Sequence, residues 1–162
     1  MKKLIYFSFC FILFAFVKTD RVEKKTDKIL LKTFKEIDFT KQAVSFSSKN
    51  KDEKWYKIVE KSTNKILGFA ETTSAIGRFD KFDFLVLYNS DKTINKVRVL
   101  IYREDHGGEI GSKRWLKQFE GKSIDHLNTL NKDVDGISGA TLSCNAITKE
   151  IKNSIIRVQK IE

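Results

Sequence analysis

The sequence predicts an α+β fold: an antiparallel sheet packed against helices. Three observations carry this. Between residues 55 and 103, four apolar segments are separated by turn-forming clusters of a few residues, the pattern of strands joined as hairpins. Toward the C-terminal end, Ile147, Ile151, Ile155 and Val158 recur at spacings of three and four, which puts them on one face of a helix. The chain has 162 residues, 41% of them hydrophobic and thirteen of them Phe, enough for one cored domain with a short extra segment.

Taken in order, residues 1–19 read as an export signal or N-terminal membrane anchor. Met1-Lys2-Lys3 precedes fourteen mostly apolar residues, 4–17, and then Lys18. That stretch is short for a membrane span, which needs about twenty apolar residues. Ala15 is the only small apolar residue near a cleavage position, and Phe7-Ser8-Phe9 before Cys10 lacks the small residue of a lipoprotein site. Residues 20–54 form a linker and an N-terminal helix region. Within it 20–28 is polar linker, Asp27 caps a helix over 28–37, residues 43–46 form a short strand and 49–54 a charged loop. Residues 55–160 form the main domain. Strands fall at 55–59, 66–73, 82–88 and 93–103, with turns at 62–65 and 89–92 and a loop over 72–81 carrying Gly77. The whole sheet should have about four or five strands. A Gly-rich loop follows at 102–111, then a short helix over 113–119 with Trp115, Leu116 and Phe119 inward, stopped at Gly121-Lys122. Residues 123–130 form a second short helix or turn, and 143–159 the last helix. Trp55 and Trp115 are core candidates. With no Pro in the chain, the turns rest on Gly, Asn, Asp and Ser.

Composition removes several function classes. The net charge of +10 invites a nucleic-acid partner, but the Lys residues are interspersed with Asp and Glu and form no dense block or nucleic-acid motif. A solvated surface with some attraction to anionic membranes or acidic redox partners is the better reading, with no nucleic acid. Cys10 and Cys144 form no disulfide framework, and no Cys-x-x-Cys or metal-spaced cluster supports haem, iron–sulfur or zinc. There is no Gly-x-Gly-x-x-Gly of a dinucleotide fold and no Gly-x-Ser-x-Gly of a hydrolase.

The informative stretch is Asp135-Gly136-Ile137-Ser138-Gly139-Ala140-Thr141, which leads into the last helix. Thr141 sits at or just before a helix N-terminus, where unpaired backbone N–H groups and the positive end of the helix dipole favour a phosphate. Gly136 and Gly139 permit sharp bends and close approach of a ligand. The seven residues resemble the flavinylation motif of the FMN-binding domain family, which includes the FMN-carrying subunits of the sodium-pumping NADH:quinone oxidoreductase and of Rnf-type electron-transfer complexes. In that family the motif's final Thr holds FMN through a phosphoester made by a separate flavin transferase. Carried over, the acceptor is Thr141, and Asp135 helps the transferase position the site; its alternative role is an Asx turn. The resemblance spans residues 60–158. It includes the loop Glu104-Asp105-His106-Gly107-Gly108-Glu109-Ile110-Gly111, where many members read Glu-Thr-Pro-Gly-Leu-Gly.

The resemblance implies an exported flavoprotein on the periplasmic side, secreted across the inner membrane or anchored there. Its FMN exchanges electrons with a membrane-associated partner. Its cofactor-binding residues would be Thr141, Ala140, Gly139, Ser138, Asp135 and Gly136, with Glu104, His106, Gly107 and Gly108 from the Gly-rich loop. Gly107-Gly108 would let backbone approach the flavin, and Glu104 and His106 are candidates to hydrogen-bond ring or ribityl atoms; a strand-end salt bridge and a solvated loop His are their alternatives. Arg78 and Lys113 are candidates for the phosphate. Cys144 reads as a buried structural thiol. Thr is a poor nucleophile unaided, and both His residues are distant in sequence, so Thr141 reads as the substrate of another enzyme. A carrier is expected rather than a complete enzyme. The competing readings are a flavin-dependent reductase acting on a small substrate with non-covalent flavin, and a cofactor-free basic binding module.

Overall fold

A computed structural model describes residues 21–45 and 53–161. The expected signal or anchor over 1–19, the end of the strand expected at 43–46 and most of the charged loop over 49–54 lie outside these residues. Among the described residues no helix is long and apolar enough to cross a membrane.

Five strands form one antiparallel sheet in sequence order: β1 (Phe39–Val44), β2 (Lys54–Glu60), β3 (Ile66–Ile76), β4 (Lys81–Asn89) and β5 (Ile94–Ile101). Each strand pairs only with its neighbours in the chain, so short turns suffice to connect β2 through β5. Asn64 and Lys92 take positive φ in two of those turns, the role that Gly plays in other chains. Helix α1 (Arg21–Thr33) precedes the sheet. After it come a 3-10 turn at Gly108–Gly111, α2 (Lys113–Leu116), 3-10 turns at Lys117–Phe119 and Ile124–His126, α3 (Leu130–Asp133) and the long α4 (Thr141–Val158).

Alternation along β4 shows how the layers are built. Phe82, Phe84, Val86 and Tyr88 face one side, where they join Trp55, Phe69, Trp115, Phe119 and the Ile147, Ile151, Ile155 and Val158 stripe of α4. Leu85 and Leu87 face the other side with Tyr56, Ile58, Ala70 and Leu100, and Leu30 of α1 closes that second core. The sheet is therefore buried on both faces, which explains why β4 reads as a continuous apolar run rather than a strict alternation.

Four expectations need correction. The first helix starts at Arg21, not Lys28, so the expected linker is helical and Asp27 lies inside the helix, where it pairs with Lys41 of β1 rather than capping. β1 begins at Phe39, four residues earlier than expected, because its register pairs it with β2 from Trp55 to Glu60. β3 runs to Ile76, three residues past the expected end at Thr73, so the expected loop over 72–81 shrinks to residues 77–80; Ser74, Ala75 and Ile76 pair with Asp83, Phe82 and Lys81 of β4. β5 ends at Ile101, two residues early.

Candidate functional site

α4 begins at Thr141, and its N-cap position, Ala140, provides no side-chain hydrogen bond to the first-turn amides. The backbone reaches this point through a turn in which the Ala140 N–H donates to the Ile137 carbonyl at 3.0 Å, and Gly139 takes φ +83°. That value is why Gly is needed there; a Cβ at Gly139 would meet nothing within 4 Å. Ala140 is buried against the core and fixes the helix entry, while Thr141 itself is exposed. The start of the motif is pinned from another side. The Trp115 indole N–H donates to the Asp135 carbonyl at 2.6 Å, and the Asp135 N–H donates to Gln118 Oε1 at 2.9 Å. Trp115 is thus both core, as expected, and a clamp on the motif.

A cleft of about 650 Å³ opens at the start of α4. Three segments line it: residues 78–80 from the β3–β4 turn, 103–107 after β5, and 139–143. Of the sequence-predicted residues, the fold brings Gly139, Ala140, Thr141, Glu104, His106 and Gly107 together here, with Arg78. Ser138, Asp135 and Gly136 fall outside it and line a neighbouring groove with Trp115, Gln118 and Arg114. Gly108 starts the 3-10 turn and lies outside both, as does Lys113, so only one of the two expected phosphate cations reaches the cleft.

The loop after β5 is tied to α4. The Tyr102 hydroxyl donates to the His106 carbonyl at 2.7 Å and lies 3.2 Å from Ser143 Oγ in the first turn of α4. Gly107 has φ +80°, and a Cβ there would stand 2.7 Å from that hydroxyl. This loop is therefore held by a side-chain bridge, and His106 and Thr141, far apart in sequence, line one cleft.

Glu104 is tied to the β3–β4 turn. Its Oε1 accepts the backbone N–H groups of Phe79 at 2.9 Å and Asp80 at 3.0 Å. Those two bonds, Asp80's first, hold its carboxyl below the ordinary glutamate range. Glu104 fastens the β3–β4 turn to the cleft instead of forming a strand-end salt bridge; Arg103 takes that part, with Asp83 at 2.5 Å. Cys144 is buried, and burial pushes its thiol up, partly offset by a backbone hydrogen bond from Ile137, which fits the inert structural thiol expected. Among the described residues no His, Cys, Asp or Glu cluster could hold a metal ion.

Two exposed apolar lining residues escaped the sequence reading. Phe79 is 79% exposed and Leu142 is 57% exposed, and both stand on the cleft that holds Thr141. The signal for Leu142 was available: it follows the motif and lies off the apolar stripe of α4. Phe79 reads as one more core Phe until the fold places it in a turn.

Residues 77–156 match the family model of the FMN-binding domain. The match starts in the β3–β4 turn and ends inside α4, so it contains every segment that lines the cleft. Among curated proteins no match was found.

Proposed function

The chain carries a member of the FMN-binding domain family at residues 77–156, and from that premise we propose that it is an exported electron carrier with FMN joined covalently to Thr141. The observation that carries the reading is the setting of Thr141. It is an exposed hydroxyl on the first residue of an 18-residue helix whose leading amides have no side-chain cap, at the edge of a cleft. The residues present fit the cofactor. A cleft of about 650 Å³ lies within the roughly 300–1,000 Å³ of small-molecule sites. The free amides of Leu142 and Ser143 and the helix dipole suit a phosphate dianion at Thr141. Phe79 and Leu142 offer apolar surface, and His106 and Arg78 offer polar groups, within the same walls.

Attachment needs an activated flavin donor and, as the family resemblance implies, a separate transferase, since a Thr hydroxyl is a poor nucleophile unaided. In that transfer the Thr141 Oγ–phosphorus bond would form as the donor's phosphoanhydride bond breaks, the remainder of the donor would leave with the second phosphate, and the hydroxyl proton would pass to solvent. The exposed run through Gly136, Ser138 and Gly139, held at Asp135 by Trp115 and Gln118, presents the acceptor to that enzyme. Bound FMN supplies two-electron acceptance with one-electron release, the chemistry of a relay between unlike carriers. The protein's part is to hold the phosphate at the helix start, wall the ring with Phe79 and Leu142, and leave one side open to a membrane-associated partner. Export follows from the lysine-led apolar segment at the N-terminus.

The test is the intact mass of protein made with a flavin transferase, beside a Thr141→Ala variant. The wild type should gain one FMN less one water and the variant nothing. A wild type that gains no mass but binds free FMN would replace the carrier by a reductase with dissociable flavin. Absence of both would leave a basic binding module.

A further inference from the structure

An exposed Phe is costly. Leaving a large apolar side chain in water forgoes the gain of burying it, and Phe79 is the most exposed large hydrophobic residue described. Its backbone is nevertheless not left to move. The N–H groups of Phe79 and Asp80 both end on Glu104 Oε1, and the Gly77 N–H donates to the Asp80 carbonyl at 2.9 Å, closing the turn. The Arg78 guanidinium stands 4.9 Å from the centre of the Phe79 ring, covering part of it on one side. A fixed turn therefore holds a largely bare aromatic surface on the cleft that contains Thr141.

Resting on the FMN reading of that cleft, we propose that Phe79 is the wall on which the flavin ring docks, with Glu104 as the positioning residue that keeps the wall in place. Aromatic pairs favour offset-stacked or edge-to-face contact, and a flavin ring tethered at Thr141 has a high local concentration near Phe79. Docking there buries the surface that is otherwise wasted. Glu104 thus influences the flavin without contacting it, through its two bonds to the turn. Ile76 is a natural control: it is 73% exposed on the same hairpin end but does not line this cleft.

The experiment uses full-length protein loaded by a transferase, with intact mass to count flavin and iodide quenching of flavin fluorescence to measure ring exposure. Phe79→Ala should load like wild type yet show a larger iodide quenching constant, with the exposed fraction of ring raised about two- to ten-fold, as loss of one aromatic contact allows. Phe79→Trp should restore protection. Glu104→Ala should fall between wild type and Phe79→Ala, and Ile76→Ala should match wild type. Full loading with unchanged quenching in Phe79→Ala overturns the proposal while leaving covalent attachment intact. If wild type carries no covalent flavin, the same variants are titrated with free FMN. Weaker binding by Phe79→Ala than by Ile76→Ala then upholds the wall without the tether, and equal or absent binding overturns it.

Discussion

Glu71 sits on β3 with its side chain fully enclosed, on the face that packs against α4. Its Oε1 accepts two bonds from the Arg157 guanidinium, while Oε2 has no hydrogen-bond partner among the described residues. Arg157 also meets Glu53 at 3.3 Å and Glu150 at 2.7 Å, so one cation serves three carboxylates. Burial raises the Glu71 carboxyl to about 7, and Arg157 and Ser154 offset only part of that. The sign follows from linkage. Between the unfolded value of about 4.5 and the folded value of about 7, the folded protein holds the proton that the unfolded chain has lost. The stability gained from that proton is therefore complete below about pH 4.5 and disappears as pH rises through about 7. The swing is on the order of 3 kcal/mol. Glu71→Gln keeps an acceptor for Arg157 and removes the titration, so urea unfolding at several pH values between 5 and 8 should show a flatter stability profile for the variant. Parallel profiles would mean that Glu71 is not the group that titrates.

Two glycines separate backbone strain from collision. Gly139 and Gly107 share a left-handed φ, but a Cβ meets open space at the first and the Tyr102 hydroxyl at the second. Gly139→Ala should cost only the conformational term, about 1–2 kcal/mol. Gly107→Ala should cost more, because Tyr102 must also give up its bond to His106 or its approach to Ser143. Denaturant midpoints of the two variants compare them directly, and equal losses would show that Tyr102 moves aside freely.

Among elements, the β3–β4 turn owes its shape to a residue 24 positions downstream, because Asp80 and Glu104 meet only through the hairpin that separates them. Glu104→Ala should leave strands β3 and β4 protected and speed amide exchange at Phe79 and Asp80 selectively. Exchange at those two amides unchanged within error would dismiss the clamp. In the wild type the clamp should also outlast mild acid, since a carboxyl held below its usual range keeps its charge until the pH falls past that lowered value. The same turn shows where the sequence stops being legible. α4 was readable because four apolar residues mark a helical stripe, and the central strands because apolar runs alternate with Asn- and Ser-rich turns. The far end of β3 was not: the expected strand stopped at Thr73, and Ser74, Ala75 and Ile76 are strand because they pair with Asp83, Phe82 and Lys81 of β4. α1 was read late because its first half is almost wholly charged, with Thr26 and Leu30 its only buried residues. At the site, the motif disclosed Thr141 and the loop disclosed Glu104, His106 and Gly107, but composition holds no trace that Glu104 spends an oxygen on the turn carrying Phe79.

At the scale of the molecule, the family match covers β4, β5 and most of α4, but the sheet on which these lie is completed by strands outside it. β3 pairs with β4 along nine residues, and Trp55 and Phe69 from β2 and β3 share a core with Ile147, Ile151 and Ile155. On the other face Leu85, Leu87 and Leu100 are covered only together with Tyr56, Ile58, Ala70 and the α1 residue Leu30. A fragment of residues 77–156 would expose the apolar strand β4 as an unpaired edge, uncover its Leu85 and Leu87 face and lose Arg157 from the buried carboxylate cluster. It should therefore elute as aggregate or show no cooperative urea transition by Trp115 fluorescence. A fragment of residues 21–161 should unfold in one sigmoidal step. Within that longer fragment Leu30→Ala should cost about 2–5 kcal/mol as a core truncation. Leu31→Ala, at a neighbouring position 62% exposed, should cost far less. A cooperative transition in the 77–156 fragment would show that the cleft needs neither β1–β3 nor α1. Equal losses at Leu30 and Leu31 would show that α1 does not pack on the sheet. If the shorter fragment fails and the leucines differ, the cleft depends on the whole sheet, and the first helix is part of what holds Thr141 in place.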